Sequence, residues 1–278
     1  MTQTPTAGDG DYTEISYREE GHVGVVTIER PEARNALTHT TYAELGHAVE
    51  STTARCLVIT GSGTAFCSGD DVKQIMVNMS RDESGDADGR DGSGGSTAEH
   101  RPRLTPTAGI LLRTDVPIVA AVNGAAVGWG MELALMADLR VASGAARFGE
   151  LFVKRGLCSD VAGLARLVEL VGRERAAELL YTGRIIDAAE AERIGLVSRV
   201  VDPDELMETA MALAGEIAAN PPLAVQALKR GLRRALDPDW DDLGRFVSST
   251  LHDLFATADH REGVAAFLDK REPTYVGR

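Results

Sequence analysis

The chain has 278 residues, 44% of them hydrophobic and 26% charged, which is apolar matter enough for a packed, soluble globular protein of one domain or a domain with an appendage. A formal charge of −13 and an aromatic content of 5% exclude a nucleic-acid binder, because phosphates repel an acidic surface and single-strand platforms need stacking rings. The three cysteines, Cys56, Cys67 and Cys158, have no metal-ligand spacing with the six histidines, and the start MTQTPTAGDGDYTE carries neither a basic nor an apolar leader segment. The expectation is a cytoplasmic protein without metal or disulfides.

In chain order, YTEISYREEGHVGVVTIER predicts two short β-strands about a turn at 19–21, with β-branched alternation in VGVVTIE. PEARNAL is a turn that runs into a helix over THTTYAELGHAVEST. CLVIT is an unbroken apolar run, hence a strand buried on both faces, and GSGTAF ends it. The same order then recurs: PIVAAVNG reads as a strand, GWGMELALMA as a helix, LRVAS as a strand and VAGLARLVELVG as a helix. Such alternation predicts α/β layers. Residues 116–137 are long enough for a membrane span, but Pro117, Asn123, Gly124, Gly128, Gly130 and Glu132 are unsuited to a lipid-facing helix.

Residues 79–103 are rich in Gly, Asp, Ser and Arg with almost nothing apolar, so burial there cannot offset ordering entropy and a mobile loop is expected. After Pro203 only helical patterns remain: DELMETAMALAGEIAAN, PPLAVQALKRGLRRAL, WDDLGRFVSSTLHDLFATAD and HREGVAAFLDKR. The division expected is a core over 1–203 and a helical region over 204–278, with Pro221–Pro222 as a break inside the latter.

The chemistry concentrates in NGAAVGWGMEL. A strand ends near Asn123, glycines carry the chain round and a helix begins near Gly130, so unpaired N–H groups at its start face outward while the lone carboxylate Glu132 sits in an apolar pattern. A second glycine turn follows a buried strand in AFCSGDDV. Donors from two such turns can clamp one carbonyl oxygen and stabilise an enolate, at roughly 3–4 kcal/mol per donor. The alternative is a pair of tight turns with no ligand.

AFCSGDDV resembles the A-F-x-A-G-x-D segment, and NGAAVGWGMELALMADLRVA the N-G-x-A-x-G-G-G-x-E-L-A-x-x-x-D segment, of the enoyl-CoA hydratase/isomerase (crotonase) superfamily. RPEARNAL resembles its entry motif, LLYTGRIIDAAEAERIGLVSRVV its L-x-T-G-x-x-x-x-A-x-x-A-x-x-x-G-L-V segment, and REGVAAFLDKR its C-terminal signature. The resemblance implies an α/β fold, the crotonase (ClpP-like) spiral of ββα units, with a C-terminal α-helical region that makes trimers or hexamers. It also implies an acyl-CoA thioester substrate, with no cofactor beyond the coenzyme A of that thioester and no metal.

Carried over by motif, the oxyanion N–H groups fall on Ser68 and Trp129, where a bulky indole replaces the family's usual glycine and narrows the acyl pocket. Coenzyme A would lie along Arg34, Ala36 and Leu37 and along Ser68, Asp70 and Asp71. Phe267 and Lys270 would come near its nucleotide, from the same or a neighbouring subunit, unless Lys270 is a plain solvated lysine. Of the two glutamates that family hydratases use, Glu132 matches the first. In RFGELFVKRGL the place of the second falls on Phe152, in the substrate-binding region, and Glu150, two residues early, is expected to point elsewhere unless the loop shifts. GLCSDVAGLARL instead puts Asp160 where some isomerases of the superfamily carry a catalytic aspartate; its other reading is a helix N-cap. Three functions stay open: hydration of a 2-enoyl-CoA by Glu132, double-bond isomerisation of a dienoyl- or 3-enoyl-CoA by Asp160 with Glu132, and a catalytically weak CoA-ester-binding subunit.

Overall fold

The computed structural model describes residues 12–71, 104–235 and 239–278, so the mobile loop expected at 79–103 lies outside the described residues. The β-branched run VGVVTI forms β2 (Val23–Ile28), which pairs antiparallel with β1 (Ile15–Glu20) through a tight turn at Gly21, whose φ of 61° suits a residue without Cβ. On its other side β2 runs parallel to β3 (Cys56–Gly61), every residue of which is buried, as a strand covered on both faces requires. The sheet continues in parallel through β5 (Ile118–Val122), β7 (Leu139–Ser143) and β10 (Arg199–Val201).

A second, four-stranded sheet stands beside it: β4 (Ala65–Cys67), β6 (Ala125–Val127), β8 (Arg147–Gly149) and β9 (Ile186–Asp187), in that spatial order. Its strands are two or three residues long, too short for any periodicity to announce them in the sequence. Each of β3, β5 and β7 feeds directly into a strand of this small sheet. The chain then enters a helix: α3 (Trp129–Met136) after β5 and β6, and α4 (Val161–Val171) after β7 and β8. These ββα turns are the spiral expected from the resemblance, and the glycine turns at the site stand at the ends of the small-sheet strands β4 and β6.

The remaining helices are α1 (His39–Ser51), closed at its start by a capping box between Thr38 and Thr41, α2 (Pro106–Arg113), α5 (Arg173–Thr182) and α6 (Ala188–Arg193). The tail contributes α7 (Leu206–Ala218), α8 (Pro222–Arg234), α9 (Trp240–Phe255) and α10 (Ala258–Asp269). Two apolar cores result. The larger fills the space between the sheets, α1 and α3, around Ile28, Leu57, Ile59, Phe66, Leu133 and Phe148. The smaller covers the other face of the six-stranded sheet, where Leu206, Ala210, Ala214 and Ala218, four residues apart on one stripe of α7, meet Val25, Val58, Val119 and Val141. The first helix of the tail is therefore a layer of the core. The second is tied to it by Lys229, whose buried ammonium donates to the Asp138 carboxylate at 2.6 Å and to the Val116 carbonyl at 2.8 Å. By contrast α9 and α10 leave Leu251, Phe255, Phe267 and Leu268 exposed.

Candidate active site

The two glycine turns pack backbone against backbone. A Cβ on Gly130 would lie 2.0 Å from the Cys67 carbonyl oxygen, and one on Gly69 would lie 2.9 Å from the Val127 oxygen and 3.1 Å from the Trp129 nitrogen. Glycine at 130 is thus the condition for the end of β4 and the start of α3 to touch. Gly128, at φ 55°, swings the chain from β6 into the helix. Between the turns opens a cavity of about 370 Å³ whose walls include Ala36, Ser68, Asp70, Asp71, Trp129 and Phe152, with Ala33, Gly69, Gly128 and Arg155 beside them.

The donors expected at these turns differ in state. Trp129 is the first residue of α3, so its N–H has no acceptor a helical turn back, and it borders the cavity. The Ser68 N–H is engaged: it donates to the Arg34 carbonyl at 3.1 Å. The cause lies in the entry turn, where Arg34 and Asn35 hold left-handed φ values of 54° and 56°. The buried Asn35 side chain pins that conformation by accepting from the Arg30 N–H at 3.0 Å and donating to the carbonyls of Ser62 and Ala65 at 2.8 and 2.7 Å. The expectation of two free donors is corrected to one, with the second shared with Arg34.

Glu132 lies on the first turn of α3, with 0% exposure. Its carboxylate turns away from the cavity walls toward the start of α4, where the Ser159 hydroxyl approaches Oε1 at 2.7 Å and the Gly163 N–H donates to Oε2 at 2.9 Å. Burial raises its pKa above the usual 4.5 even against these two donors. The Ser159 hydroxyl also lies 3.0 Å from Oε2 of Glu150, which is itself 1% exposed. Glu150 therefore does not point elsewhere, as counting along the motif implied. The segment after β8 closes into a single 3₁₀ turn over Phe152–Arg155, which leaves Phe152 on the cavity wall and turns Glu150 inward to Glu132. Burial, and then the charge of Glu132, push Glu150 up to about 9.

Asp160 takes the N-cap geometry expected of it and makes one further bond. As the N-cap of α4 it accepts from the Val161 N–H at 2.7 Å, and its other oxygen accepts from the Trp129 indole Nε1–H at 3.1 Å. The indole stands edge-on to Tyr42, with ring centroids 4.6 Å apart, and the Tyr42 hydroxyl donates to Asp70 at 2.5 Å. Trp129 thus joins the oxyanion turn, the Asp160 cap and the Asp70 wall in one packed unit. Burial raises Asp70 above its ordinary value, the Tyr42 bond only in part opposing it.

The other expected site residues divide. Ala36, Asp70 and Asp71 lie on the cavity; Leu37 is fully buried and contributes backbone, its N–H donating to the Gly69 carbonyl at 2.8 Å; Arg34 contributes the carbonyl already described. Phe267, 83% exposed, lines a separate surface hollow with Tyr275, and Lys270 caps α10, so within one chain neither joins the cavity. Ser159, Gly163 and Arg155 are site residues the sequence reading passed over. Gly163 had a signal, being a helix-interior glycine that costs ~1 kcal/mol unless packing demands it. Among the described residues no group of three or more His, Cys, Asp or Glu is placed to hold a metal, and no helix is long and apolar enough to cross a membrane.

Comparison with known proteins agrees with this geometry. The model of the family described as enoyl-CoA hydratase/isomerase matches residues 18–278. A short-chain-enoyl-CoA hydratase of Clostridium acetobutylicum is 36% identical, over 93% of this chain and 95% of its own. A crotonyl-CoA hydratase of Syntrophomonas wolfei is 35% identical, over 96% and 99%. The crystal structure of an enoyl-CoA hydratase from Bacillus anthracis superposes with a TM-score of 0.82 at 30% identity, covering 96% of this chain and 100% of that one. With the spiral, the paired glycine turns and the buried glutamate behind them, the chain belongs to the enoyl-CoA hydratase/isomerase family.

Proposed function

We propose that the protein hydrates or isomerises a 2-enoyl-CoA thioester through an enolate whose oxygen is held by backbone N–H groups. The observation that carries this reading is the position of Glu132, buried on the first turn of the helix whose first residue, Trp129, borders the cavity. The thioester oxygen accepts from the Trp129 N–H and from the Ser68 N–H, which splits its bond between substrate and the Arg34 carbonyl. Glu132 exchanges a proton with the adjacent carbon. The acyl chain lies in the cavity, where Trp129 and Phe152 give it an apolar wall. Coenzyme A runs over Arg34, Ala36, Leu37, Asp70 and Asp71. The only cofactor-like group is the coenzyme A of the substrate, and the working place is the cytoplasm.

A second reading, isomerisation of a 3-enoyl- or dienoyl-CoA with Asp160 as the partner of Glu132, is favoured by the bond that aims Asp160 along the Trp129 indole and by Phe152 in place of a carboxylate on the cavity wall. Turnover of crotonyl-CoA beside a 3-enoyl-CoA separates the two. Asn at 160 keeps one acceptor oxygen, which can hold the Val161 N–H, while its NH₂ would face the Trp129 indole N–H; Asp160→Asn therefore keeps the cap and gives up the indole bond. A loss of ~10²-fold on the 3-enoyl substrate alone is the isomerase outcome. Binding without turnover on either ester would reduce the protein to a CoA-ester-binding subunit.

The apolar residues left exposed on α9 and α10, Phe255, Phe267 and Leu268 among them, are proposed as the contact of a homotrimer or a hexamer, which brings a neighbour's Phe267 and Lys270 to the nucleotide. Light scattering is expected to give three or six chains; a monomer would overturn this assignment.

A further inference from the structure

Glu150 is a buried acid that neither proposed reaction yet uses. Its Oε2 meets the Ser159 hydroxyl, and its Oε1 is buried with no hydrogen-bond partner among the described residues. The charged groups facing it are both acids, Glu132 from α3 and Asp160 from the start of α4. The space is tight: a Cβ on Gly163 would fall 1.9 Å from the Ser159 oxygen, 2.8 Å from Glu132 Oε1 and 3.1 Å from the Glu150 carboxyl carbon. Only glycine at 163 lets the three polar groups close on one another.

Ser159 carries a single hydroxyl proton, yet carboxyl oxygens lie 2.7 and 3.0 Å from its Oγ. One proton can be donated to one acceptor in such a geometry, and a second carboxylate would set lone pair against lone pair. One of the two glutamates must therefore be protonated and donate to the serine. The surroundings say which. Glu132 receives two donors, one a backbone N–H, whereas Glu150 has only the serine and leaves its other oxygen bare in a buried site, where an anion is most costly.

We propose that Glu150 is the proton-holding, positioning residue of this site: as a neutral carboxylic acid it donates to Ser159 Oγ, the Ser159 hydroxyl donates to Glu132, and Glu132 is thereby kept ionised as the base. The proposal rests on the reading that Glu132 exchanges protons with the substrate. In isomerisation a substrate C–H bond breaks, its electron pair stays on the substrate as the enolate, and an O–H bond forms on Glu132. In hydration an O–H bond of water breaks, its oxygen bonds to the β-carbon, the C=C electron pair moves into the enolate, and the proton goes to Glu132. The protons on Ser159 and Glu150 stay where they are. Both glutamates are then neutral while the enolate oxygen carries the charge, so no buried anion stands against it. Return of the proton from Glu132 to carbon restores the starting state. The burial that holds Glu150 at about 9 gives this arrangement an upper limit, above which two anions face each other across one hydroxyl.

The test combines two readouts on the intact protein. Infrared spectra recorded against pH, without substrate, are expected to show a protonated carboxyl that persists at pH 8, at least ~3 units above an ordinary glutamate, and that is lost in Glu150→Gln. With crotonyl-CoA and a 3-enoyl-CoA as probes, kcat of the unsubstituted protein should fall as pH rises through about 9. In Glu150→Gln, whose amide N–H replaces the donor to Ser159, that alkaline limb should vanish, with kcat lower by less than ~10-fold and KM unchanged. Ser159→Ala, which removes the donor to Glu132, should lower kcat by ~10-fold or more and move the acidic limb upward. A carboxyl signal untouched by Glu150→Gln, or an alkaline limb that survives it, overturns the proposal. No turnover of either ester, with the signal still following Glu150, would uphold the shared proton and overturn the reading of Glu132 as the base.

Discussion

Glu132→Gln is expected to lower turnover of the best enoyl-CoA ester by ~10²–10⁴ with KM little changed, because it removes proton transfer while keeping shape and both hydrogen-bond partners, with only the direction of the Ser159 bond reversed. The amide oxygen can still accept from the Gly163 N–H, and the NH₂ can face Ser159. A fall in kcat alone is the mark of an interaction made in the transition state. Stability should move the other way. The pKa of Glu132 is raised in the folded protein, so ionising it favours the unfolded chain: its contribution to stability is complete below the ordinary 4.5 and is lost as pH rises through the folded value. Gln escapes that loss, and the melting temperature of the variant should gain on the unsubstituted protein as pH rises above 4.5. Retained turnover with raised stability would make the carboxylate structural and end the enolate mechanism proposed for it.

How far the sequence reached follows from what local pattern can encode. The strand VGVVTI, the strand CLVIT and the turn at Gly128 act through near neighbours, and each appears where periodicity and turn chemistry put it. The helical tail was legible for the same reason, but its role was not, since nothing in DELMETAMALAGEIA tells whether the alanine stripe meets a sheet or another chain. The small sheet escaped because three residues carry no period. Within the site, Glu132 was found by a motif whose spacing is held by a helix. Glu150 was missed because the segment after β8 is irregular, and the direction of a side chain there is set by the 3₁₀ turn at Phe152–Arg155 and by the serine it meets across space. The Ser68 N–H was read from its turn as unpaired, and its partner, the Arg34 carbonyl, escaped because it is aimed by a left-handed turn that Asn35 pins from residues 62 and 65. Contacts between distant segments decided each of these.

Gly130→Ala is expected to cost about 3 kcal/mol or more of stability and to reduce turnover by ~10² or more in whatever folded protein remains. The added methyl would meet the Cys67 carbonyl oxygen at 2.0 Å and its carbon at 2.6 Å, both backbone atoms at the end of a buried strand, so no side chain can rotate out of the way. Relief comes only by moving the β4 turn and the start of α3 apart, by close to 1 Å to reach the nearest distance real Cβ contacts show. Those two pieces carry Ser68 and Trp129, whose N–H groups converge on one oxygen in the function proposed, and a displacement of that size is enough to spoil an oriented site. Gly215→Ala supplies the contrast. That glycine is inside α7, has no atom within 4 Å of an added Cβ and no positive φ, so alanine there should raise stability by ~0.4–1 kcal/mol and leave turnover alone. Chemical denaturation of the two variants, with kcat on the same ester, checks both halves. If Gly130→Ala were as stable and active as Gly215→Ala, the close approach of the two turns would not be what positions the oxyanion donors.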